Sequence, residues 1–250
     1  MSATTAGAVF DALAERYDSL WSESAIGRQQ RTAVWCWIDP LFCSGDRLLD
    51  LGCGTGVDAA HFMERGIQVL GIDASAQMVR VARTRGVDAH QLAVEALDTL
   101  HGNFEGALSN FGALNCVANL QPVALSLARL IRIRGHLAIS LAGCCCAWEI
   151  FHHLSRLQPA KAFRRWKPAG SCAYHGVPVY YPSVRHIVRL FQPNFRLTQW
   201  CGIGLGVPPS YIESISETSI ARLAAMDRRL AHLPLLRALA DHRLLVFERI

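Results

Sequence analysis

The sequence has few charged residues, little lysine and no long apolar run. Charged residues make up 18% of the 250 positions and apolar residues 51%, a balance typical of a packed globular protein and not of a disordered chain. The longest strongly apolar stretch, His136 to Trp148, is too short to span a bilayer, and Met1 to Phe10 lacks the features of a secretory signal. We therefore expect a single cytoplasmic domain over residues 1–250, without a membrane span.

Zinc-type cysteine spacing is also missing. The chain has nine cysteines, an odd number, and no repeated CxxC pair. The adjacent residues Cys144, Cys145 and Cys146 point in different directions, so small apolar packing explains them better than metal binding. We predict no metal site.

Charge is unevenly distributed along the chain. Residues 1–125 carry 8 basic and 14 acidic side chains, and residues 126–250 carry 17 and 6. A basic half can bind a small anionic substrate, a lipid headgroup or RNA, and it can equally be a solvated surface. The run from Lys161 to Lys167 mixes basic and aromatic residues, but one short run is a small footprint for nucleic acid.

Short apolar strands alternate with helices along most of the chain. Such alternation predicts an α/β fold with a mostly parallel sheet covered by helices on both faces, of the doubly wound, Rossmann-like kind. The pattern predicts seven strands, at residues 47–51, 67–72, 87–92, 106–111, 135–141, 195–201 and 243–248. It predicts helices at residues 10–21, 26–38, 57–64, 75–85, 120–131, 183–191 and 216–232.

The chain divides into four parts on this pattern. Residues 1–40 form a helical lid, 41–141 a ligand-binding half, and 183–250 the part that closes the sheet. Between them, residues 142–182 lose the alternation and carry cysteines, paired histidines and turn residues, so we interpret them as an insertion after the fifth strand, over the sheet edge or the mouth of a site.

A glycine loop directly follows the first strand. Gly52, Gly54 and Gly56 allow the backbone to approach a nucleotide-like ligand closely, although a tight turn without a ligand is the other interpretation. Dinucleotide folds place the third glycine one position later, at Val57, which disfavours NAD. Asp73 ends the second strand 21 positions after Gly52, where a carboxylate can accept hydrogen bonds from both ribose hydroxyls.

The segments LLDLGCGTG and GIDAS, with Met78 following, resemble the class I S-adenosylmethionine-dependent methyltransferases. The resemblance runs from the opening FDALAERYD through SNFGALN to the closing DHRLLVFER, and leaves out the insertion. It implies that S-adenosylmethionine is the cofactor. The sequence departs from the family pattern in two places. Ala93 stands where an acid is usual, unless Glu95 takes the role of that acid, and Ile133-Arg134-Gly135 stands where Pro-Gly-Gly is usual.

The resemblance also implies a role for each part of the cofactor site. The methionine moiety would be backed by the loop and the residue before it: Asp50, Gly52, Cys53, Gly54, Thr55 and Gly56. Asp73, the acid after the second strand, would take the ribose, and Ala74 and Met78 would flank the adenine. After the third strand, Val94 and Glu95 would lie at the adenine edge, and after the fourth, Asn110 and Phe111 would lie beside the methyl group.

The sequence indicates less about the residues that contact the methyl acceptor. A general base is needed only if the acceptor is protonated. Candidates for the base are His152, which ranks first, His153 and His175. Glu149 and Tyr17 are weaker choices, and Tyr17 could also cover the cofactor.

Motifs that would indicate nucleobase methylation are missing. Asn110 is not followed by Pro-Pro-aromatic, and Cys116 follows Asn115 where cytosine C5 enzymes have proline. We expect methyl transfer to an O, N or C atom of a small, apolar or aromatic metabolite. The alternatives are an RNA methyltransferase that uses the basic half, and a non-catalytic subunit that binds S-adenosylmethionine or stabilises a partner.

Overall fold

The protein is built on a seven-stranded sheet with helices on both faces. The computed structural model describes residues 6–167, 172–174, 176–212 and 215–250. The strands of the sheet are β1 (Arg47–Leu51), β2 (Gln68–Asp73), β3 (Asp88–Gln91), β4 (Phe104–Ser109), β5 (Ile131–Ala142), β8 (Phe195–Ile203) and β9 (His242–Arg249), and β6 (Cys172–Tyr174) pairs with β7 (Val177–Val179) in a separate hairpin.

The strand order is β3-β2-β1-β4-β5-β9-β8. Strands β1 to β5 run parallel to one another, and β9 runs antiparallel to both β5 and β8. The predicted mostly parallel, doubly wound α/β fold is confirmed. The chain order reverses between β1 and β4, and ligands of such sheets bind at the carboxyl ends of the strands beside this point.

The helices are α1 (Ala6–Leu13), α2 (Ala25–Ile38), α3 (Val57–Glu64), α4 (Ala76–Thr84), α5 (Gln121–Leu130), α6 (Ala147–Leu154), α7 (Pro159–Ala162), α8 (Val184–Phe191) and α9 (Glu217–Leu230). Alternate strand residues point to opposite faces, so the sheet has two cores. Leu49 and Leu51 pack in the core with α5 and α8, whereas Leu48 packs in the core with α2, α3 and α4. None of the described helices is long and apolar enough to cross a membrane.

The N-terminal helix predicted over residues 10–21 is wrong in extent. Helix α1 ends at Leu13, and a separate π-helical turn follows at Asp18–Ser22. Periodicity alone missed the break because the aromatic residues on both sides of it face the same interior, where Tyr17 packs between Phe10 and Trp21.

Strands β4 and β5 differ most from their predicted bounds. Strand β4 begins and ends two residues earlier than predicted, so Asn110 and Phe111 lie just beyond it, where Phe111 takes a left-handed φ of 49°. Strand β5 begins at Ile131, directly after α5. Its pairing with β4 skips from Ile131 to His136, with Arg134 at φ 65°, so the segment that departs from the usual Pro-Gly-Gly is a bulge within the strand.

The predicted insertion holds α6, α7 and the β6–β7 hairpin. It is anchored at the carboxyl end of β5: the backbone N–H of Tyr180 donates to Asn115 O at 2.7 Å, and the Asn115 side chain bonds the backbone of Ala142 and Tyr180. The insertion therefore lies at the edge of the sheet where the glycine loop also lies.

Candidate active site

The glycine loop between β1 and α3 needs its glycines for different reasons. Gly52, Gly54 and Gly56 all have left-handed φ angles, of 69°, 54° and 81°. A Cβ on Gly52 would come within 2.3 Å of the Ala113 Cβ, and one on Gly56 within 3.1 Å of the Ala82 backbone. A Cβ on Gly54 would meet nothing within 4 Å. Gly54 therefore borders open space, where a ligand can reach the loop backbone.

Asp73, at the end of β2, faces this open space. Its two carboxylate oxygens accept the backbone N–H of Gly54 at 2.9 Å and of Ser75 at 2.8 Å. Burial raises the pKa of Asp73, and the two N–H donors offset only part of the effect. Each oxygen has a second lone pair, so a fixed carboxylate is available to a pair of hydroxyls.

A second acid lies on the floor of the loop. Asp50 in β1 is buried, and its Oδ2 has no hydrogen-bond partner among the described residues. Burial raises the pKa of Asp50 well above its ordinary value, and the nearby Asp58 carboxylate adds to the rise. Asp58 is itself held by an ion pair with Arg31 and by the Trp35 indole N–H at 2.8 Å.

The N-terminal segment is fastened across the loop by two aspartates. Asp18 accepts the Thr55 hydroxyl and the Arg85 guanidinium, each at 2.7 Å. Burial alone would raise the pKa of Asp18, but these hydrogen bonds outweigh it and hold the pKa below its ordinary value. Asp11 accepts the Ser75 hydroxyl at 2.6 Å. These two aspartates thus join the N-terminal segment to the glycine loop and to the start of α4.

Two small cavities flank Asp73 under this segment. One, of about 100 Å³, is lined by Gly52, Gly54, Asp73, Met78, Asn110, Phe111 and their neighbours. The other, of about 80 Å³, is lined by Asp73, Ala74, Val94, Glu95 and their neighbours. Five residues line both: Phe10, Gly52, Asp73, Ala113 and Cys116. Together they form an elongated site with Asp73 near its middle.

A larger cavity of about 390 Å³ adjoins the loop side of this site. The two share walls formed by Phe10, Tyr17, Phe111, Gly112 and Cys116. The remaining lining comes from distant parts of the chain, and includes Trp21, Gln30, Ala142, Arg165, Val179, Tyr181, Tyr211, Asp241 and His242. Its size suits a small molecule, and its lining is mostly apolar and aromatic.

A network of buried charges supports the far wall of this cavity. Arg165 donates to Glu149 at 2.9 Å and to Asp241 at 2.7 Å, and all three residues are buried. Arg164 makes two further bonds to Glu149, at 2.8 and 2.9 Å. Burial alone would raise the pKa of Asp241, but His242 and Arg165 outweigh it and hold the pKa well below its ordinary value. The insertion is therefore bonded to the start of β9.

Comparison with known proteins agrees with this architecture. A family model described as a methyltransferase domain matches residues 48–135. The chain is 33% identical over 141 residues to a demethylmenaquinone methyltransferase of Thermobifida fusca, covering 53% of this chain and 58% of that protein. It is 31% identical over 102 residues to a ubiquinone biosynthesis O-methyltransferase of Pectobacterium atrosepticum, covering 38% and 42%. The chain thus spans about half the length of the curated relatives it matches.

Solved structures show the same fold. An S-adenosylmethionine-dependent methyltransferase from Mesorhizobium loti aligns with a TM-score of 0.56 at 19% identity, over 87% of this chain and 98% of that one. Geranyl diphosphate C-methyltransferase from Streptomyces coelicolor, crystallised with S-adenosyl-L-homocysteine, aligns with a TM-score of 0.60 at 17% identity, over 88% and 79%. The match to a methyltransferase domain and these shared folds support the resemblance to class I S-adenosylmethionine-dependent methyltransferases that the sequence motifs carry.

The match to the methyltransferase domain begins in β1 and ends in the bulge of β5. It contains every residue that the sequence assigned to the cofactor. Nine of those thirteen line the two small cavities: Gly52, Gly54, Asp73, Ala74, Met78, Val94, Glu95, Asn110 and Phe111. The other four line neither cavity: Asp50, Cys53, Thr55 and Gly56. Cys53, for example, is buried against Gly71.

The residues proposed as general bases do not lie together in the structure. Tyr17 lines both the loop cavity and the larger one. His152 and His153 do not line the larger cavity but pack behind it, with ring centroids 5.8 and 6.2 Å from that of Tyr211, which does. Glu149 is locked between two arginines and accepts the Tyr211 hydroxyl at 3.1 Å. His175 lies outside the described residues.

Sequence reasoning missed Cys116, Arg165, Asp241 and His242 as site residues. Cys116 and Arg165 carry no local signal. Asp241 and His242 form an acid and histidine pair at the start of the last strand, inside the closing segment DHRLLVFER. That pair could have been noticed, because the first residue of an antiparallel strand beside β5 lies at the same sheet edge as the carboxyl ends of the parallel strands.

Proposed function

We propose that this chain transfers a methyl group from S-adenosylmethionine to a small aromatic acceptor of the phenol or quinol class. One observation carries the proposal: the 390 Å³ cavity and the glycine-loop site meet at a shared wall that includes Tyr17, Phe111 and Gly112. A methyl donor on one side and an acceptor on the other would be within reach of each other at this wall.

The residues on the loop side fit the cofactor. Gly54 leaves open space at its backbone, and the Asp73 carboxylate is held with unused lone pairs, as a ribose diol requires. The buried Asp50 has an oxygen on the floor of the loop that no described residue bonds, and it is suited to a cationic group. When bound, S-adenosylmethionine supplies a methyl carbon activated by a sulfonium. Aromatic faces, such as that of Tyr17, attract such a cation.

The main task that remains for the protein is to hold the methyl group and the acceptor atom in line. Alignment of this kind can supply roughly 7 to 11 kcal/mol of the barrier. In this chain the N-terminal segment is held by the Asp18–Arg85 ion pair and by the hydrogen bond from Ser75 to Asp11. The insertion is held by the buried ion pairs of Arg165 with Glu149 and Asp241, so both walls of the acceptor cavity are anchored.

An aromatic acceptor is favoured by the lining and by the relatives. Phe10, Tyr17, Trp21, Phe111 and Tyr181 all face the cavity, and Trp21 packs edge-on to Phe111 with centroids 4.6 Å apart. Aromatic side chains provide flat, apolar walls for a ring. The names of the relatives, demethylmenaquinone methyltransferase and ubiquinone biosynthesis O-methyltransferase, indicate ring acceptors for those proteins.

The test is methyl transfer from deuteromethyl S-adenosylmethionine, followed by mass spectrometry. Catechol and 1,4-naphthohydroquinone serve as acceptor probes, 1,2-dimethoxybenzene as the ring without a free hydroxyl, and bacterial extract as a source of the natural acceptor. We expect at least one hydroxylated probe, and one metabolite of the extract, to gain a single deuteromethyl group. Asp73→Asn should abolish the product.

Two results would contradict the proposal. Cofactor binding without any methylated product, from probes or extract, would indicate the non-catalytic subunit. Label incorporated into tRNA, together with tRNA affinity that falls steeply with added salt, would indicate the RNA methyltransferase.

A further inference from the structure

A histidine and a buried aspartate stand side by side in the wall of the acceptor cavity. The Nδ1 of His242 is fully buried and lies 3.3 Å from Oδ2 of Asp241, a close charge contact outside hydrogen-bond geometry, and Nδ1 makes no hydrogen bond to any of the described residues. The imidazole meets the ring of Phe111 edge-on, with centroids 5.3 Å apart. Phe111 also lines the glycine-loop cavity, so His242 stands one ring away from the boundary between the two cavities.

Asp241 is held as an anion. Its Oδ1 accepts the Arg165 guanidinium at 2.7 Å, and Arg165 is in turn bonded to Glu149 at 2.9 Å. These groups are all buried, which fixes the Asp241 carboxylate in one orientation and leaves its second oxygen toward His242. A fixed anion beside Nδ1 favours the tautomer with the proton on Nδ1, so that Nε2 keeps a free lone pair.

We propose that the acceptor carries an acidic hydroxyl, phenolic or enolic, and that Nε2 of His242 takes its proton during methyl transfer. This inference rests on the proposed function and deepens it, because it selects oxygen as the acceptor atom. Asp241 is a positioning residue that sets the tautomer. Arg165 and Glu149 are positioning residues that hold Asp241.

The step is balanced without any other reactant. The acceptor oxygen forms a bond to the methyl carbon while the sulfur–carbon bond breaks, with its electron pair remaining on sulfur. The hydroxyl proton passes to His242 Nε2, so the positive charge moves from the sulfonium to the imidazolium. The Asp241 carboxylate offsets that charge, and the proton then leaves to water.

The other candidate bases fit this role less well. His152 and His153 are separated from the cavity by Tyr211, and the His152 ring contacts Arg156. Glu149 is fully engaged by Arg164 and Arg165, and its pKa lies below its ordinary value even though burial opposes this, so it is a weak proton acceptor.

The test compares two probes that differ in the acidity of the hydroxyl. Catechol keeps its proton at pH 7.5, whereas 4-nitrocatechol is already largely ionised and needs no base. We expect His242→Gln to lower kcat/KM for catechol about 100-fold, and that for 4-nitrocatechol by less than about tenfold. Asp241→Asn should lower kcat for catechol with little change in KM. His90→Gln, on the exposed strand β3, is the matched control and should leave both probes unchanged.

Two measurements that do not depend on turnover distinguish loss of the base from misfolding of the variant. His242→Gln should bind S-adenosylmethionine with unchanged affinity by calorimetry. The absorbance of 4-nitrocatechol titrated into the wild-type protein should show that binding favours the ionised form, and this shift should be lost in His242→Gln.

Equal losses on both probes would overturn the role of His242 as base and indicate a packing role instead. A product methylated on ring carbon would also overturn it, because the inference requires an oxygen acceptor. If the wild-type chain methylates no probe and no metabolite, the proposed function itself fails.

Discussion

Asp73 is the residue on which we expect cofactor binding to depend most. It is fixed by the N–H groups of Gly54 and Ser75 and borders both small cavities. Hydrogen bonds to a charged group contribute about 1.5 to 3 kcal/mol each. Replacing the carboxylate by an amide would spoil two of them, because the amide nitrogen of asparagine would face donors.

We therefore expect Asp73→Asn to weaken S-adenosylmethionine binding by at least about 100-fold in calorimetry, which corresponds to roughly 3 kcal/mol. The chain should stay folded, as circular dichroism would show. The control is Asp88→Asn, which alters an exposed aspartate of the neighbouring strand that pairs only with a surface histidine. Unchanged affinity in Asp73→Asn would contradict the assignment of the ribose site.

At the scale of elements, the insertion is held to the sheet by buried charge. Glu149 on α6 is 1% exposed and bonds two arginines from the turn that follows α7. Removing one partner of a buried ion pair leaves the other charges uncompensated, which typically costs 3 to 5 kcal/mol. The same network orients Asp241 and so reaches the acceptor cavity.

We expect Glu149→Gln to lower the free energy of unfolding by about 3 kcal/mol in urea at pH 7.5. Because the pKa of Glu149 is lowered in the folded protein, its stabilisation is present above the ordinary value of 4.5 and is lost as pH falls through the lowered value. The difference between wild type and variant should therefore shrink in acid.

The control for this comparison is Glu15→Gln, which breaks an exposed pair with Arg80. It should cost less than about 0.5 kcal/mol at either pH. A Glu149 variant as stable as this control would show that the buried pairs contribute nothing net to stability.

At the scale of the whole molecule, one sheet carries both the cofactor site and the closing strands. β5 pairs with β4 on one side and with β9 on the other, so the halves share a continuous ladder and two continuous cores. A ligand bound near β1 should therefore stabilise the entire chain.

We expect S-adenosylmethionine at 100 times its Kd to stabilise the protein by about 2.7 kcal/mol and to raise the midpoint of a single thermal transition by roughly 5 to 10 °C. Asp73→Asn at the same concentration should shift the midpoint by less than about 2 °C. Two transitions, of which only one responds, would contradict the prediction of a single domain over residues 1–250.

The cofactor half of the site could be predicted because its information is local. A left-handed turn needs glycine at Gly52, Gly54 and Gly56 wherever the rest of the chain goes, and Asp73 must end the next strand of the same βαβ unit. The seven strands of a mostly parallel sheet also followed from alternation, whereas their order in the sheet came only from the structure. The bounds of β4 and the break after α1 did not, because apolar residues continue across them.

The acceptor side was decided only by the tertiary structure. Its walls come from the lid, from the turn after β4, from the insertion and from the start of β9, and they meet because β9 inserts antiparallel between β5 and β8. No local pattern records which distant segments the sheet will bring together. For that reason the sequence pointed to the paired histidines of α6, which pack behind Tyr211, and overlooked His242, which the sheet places at the cavity wall.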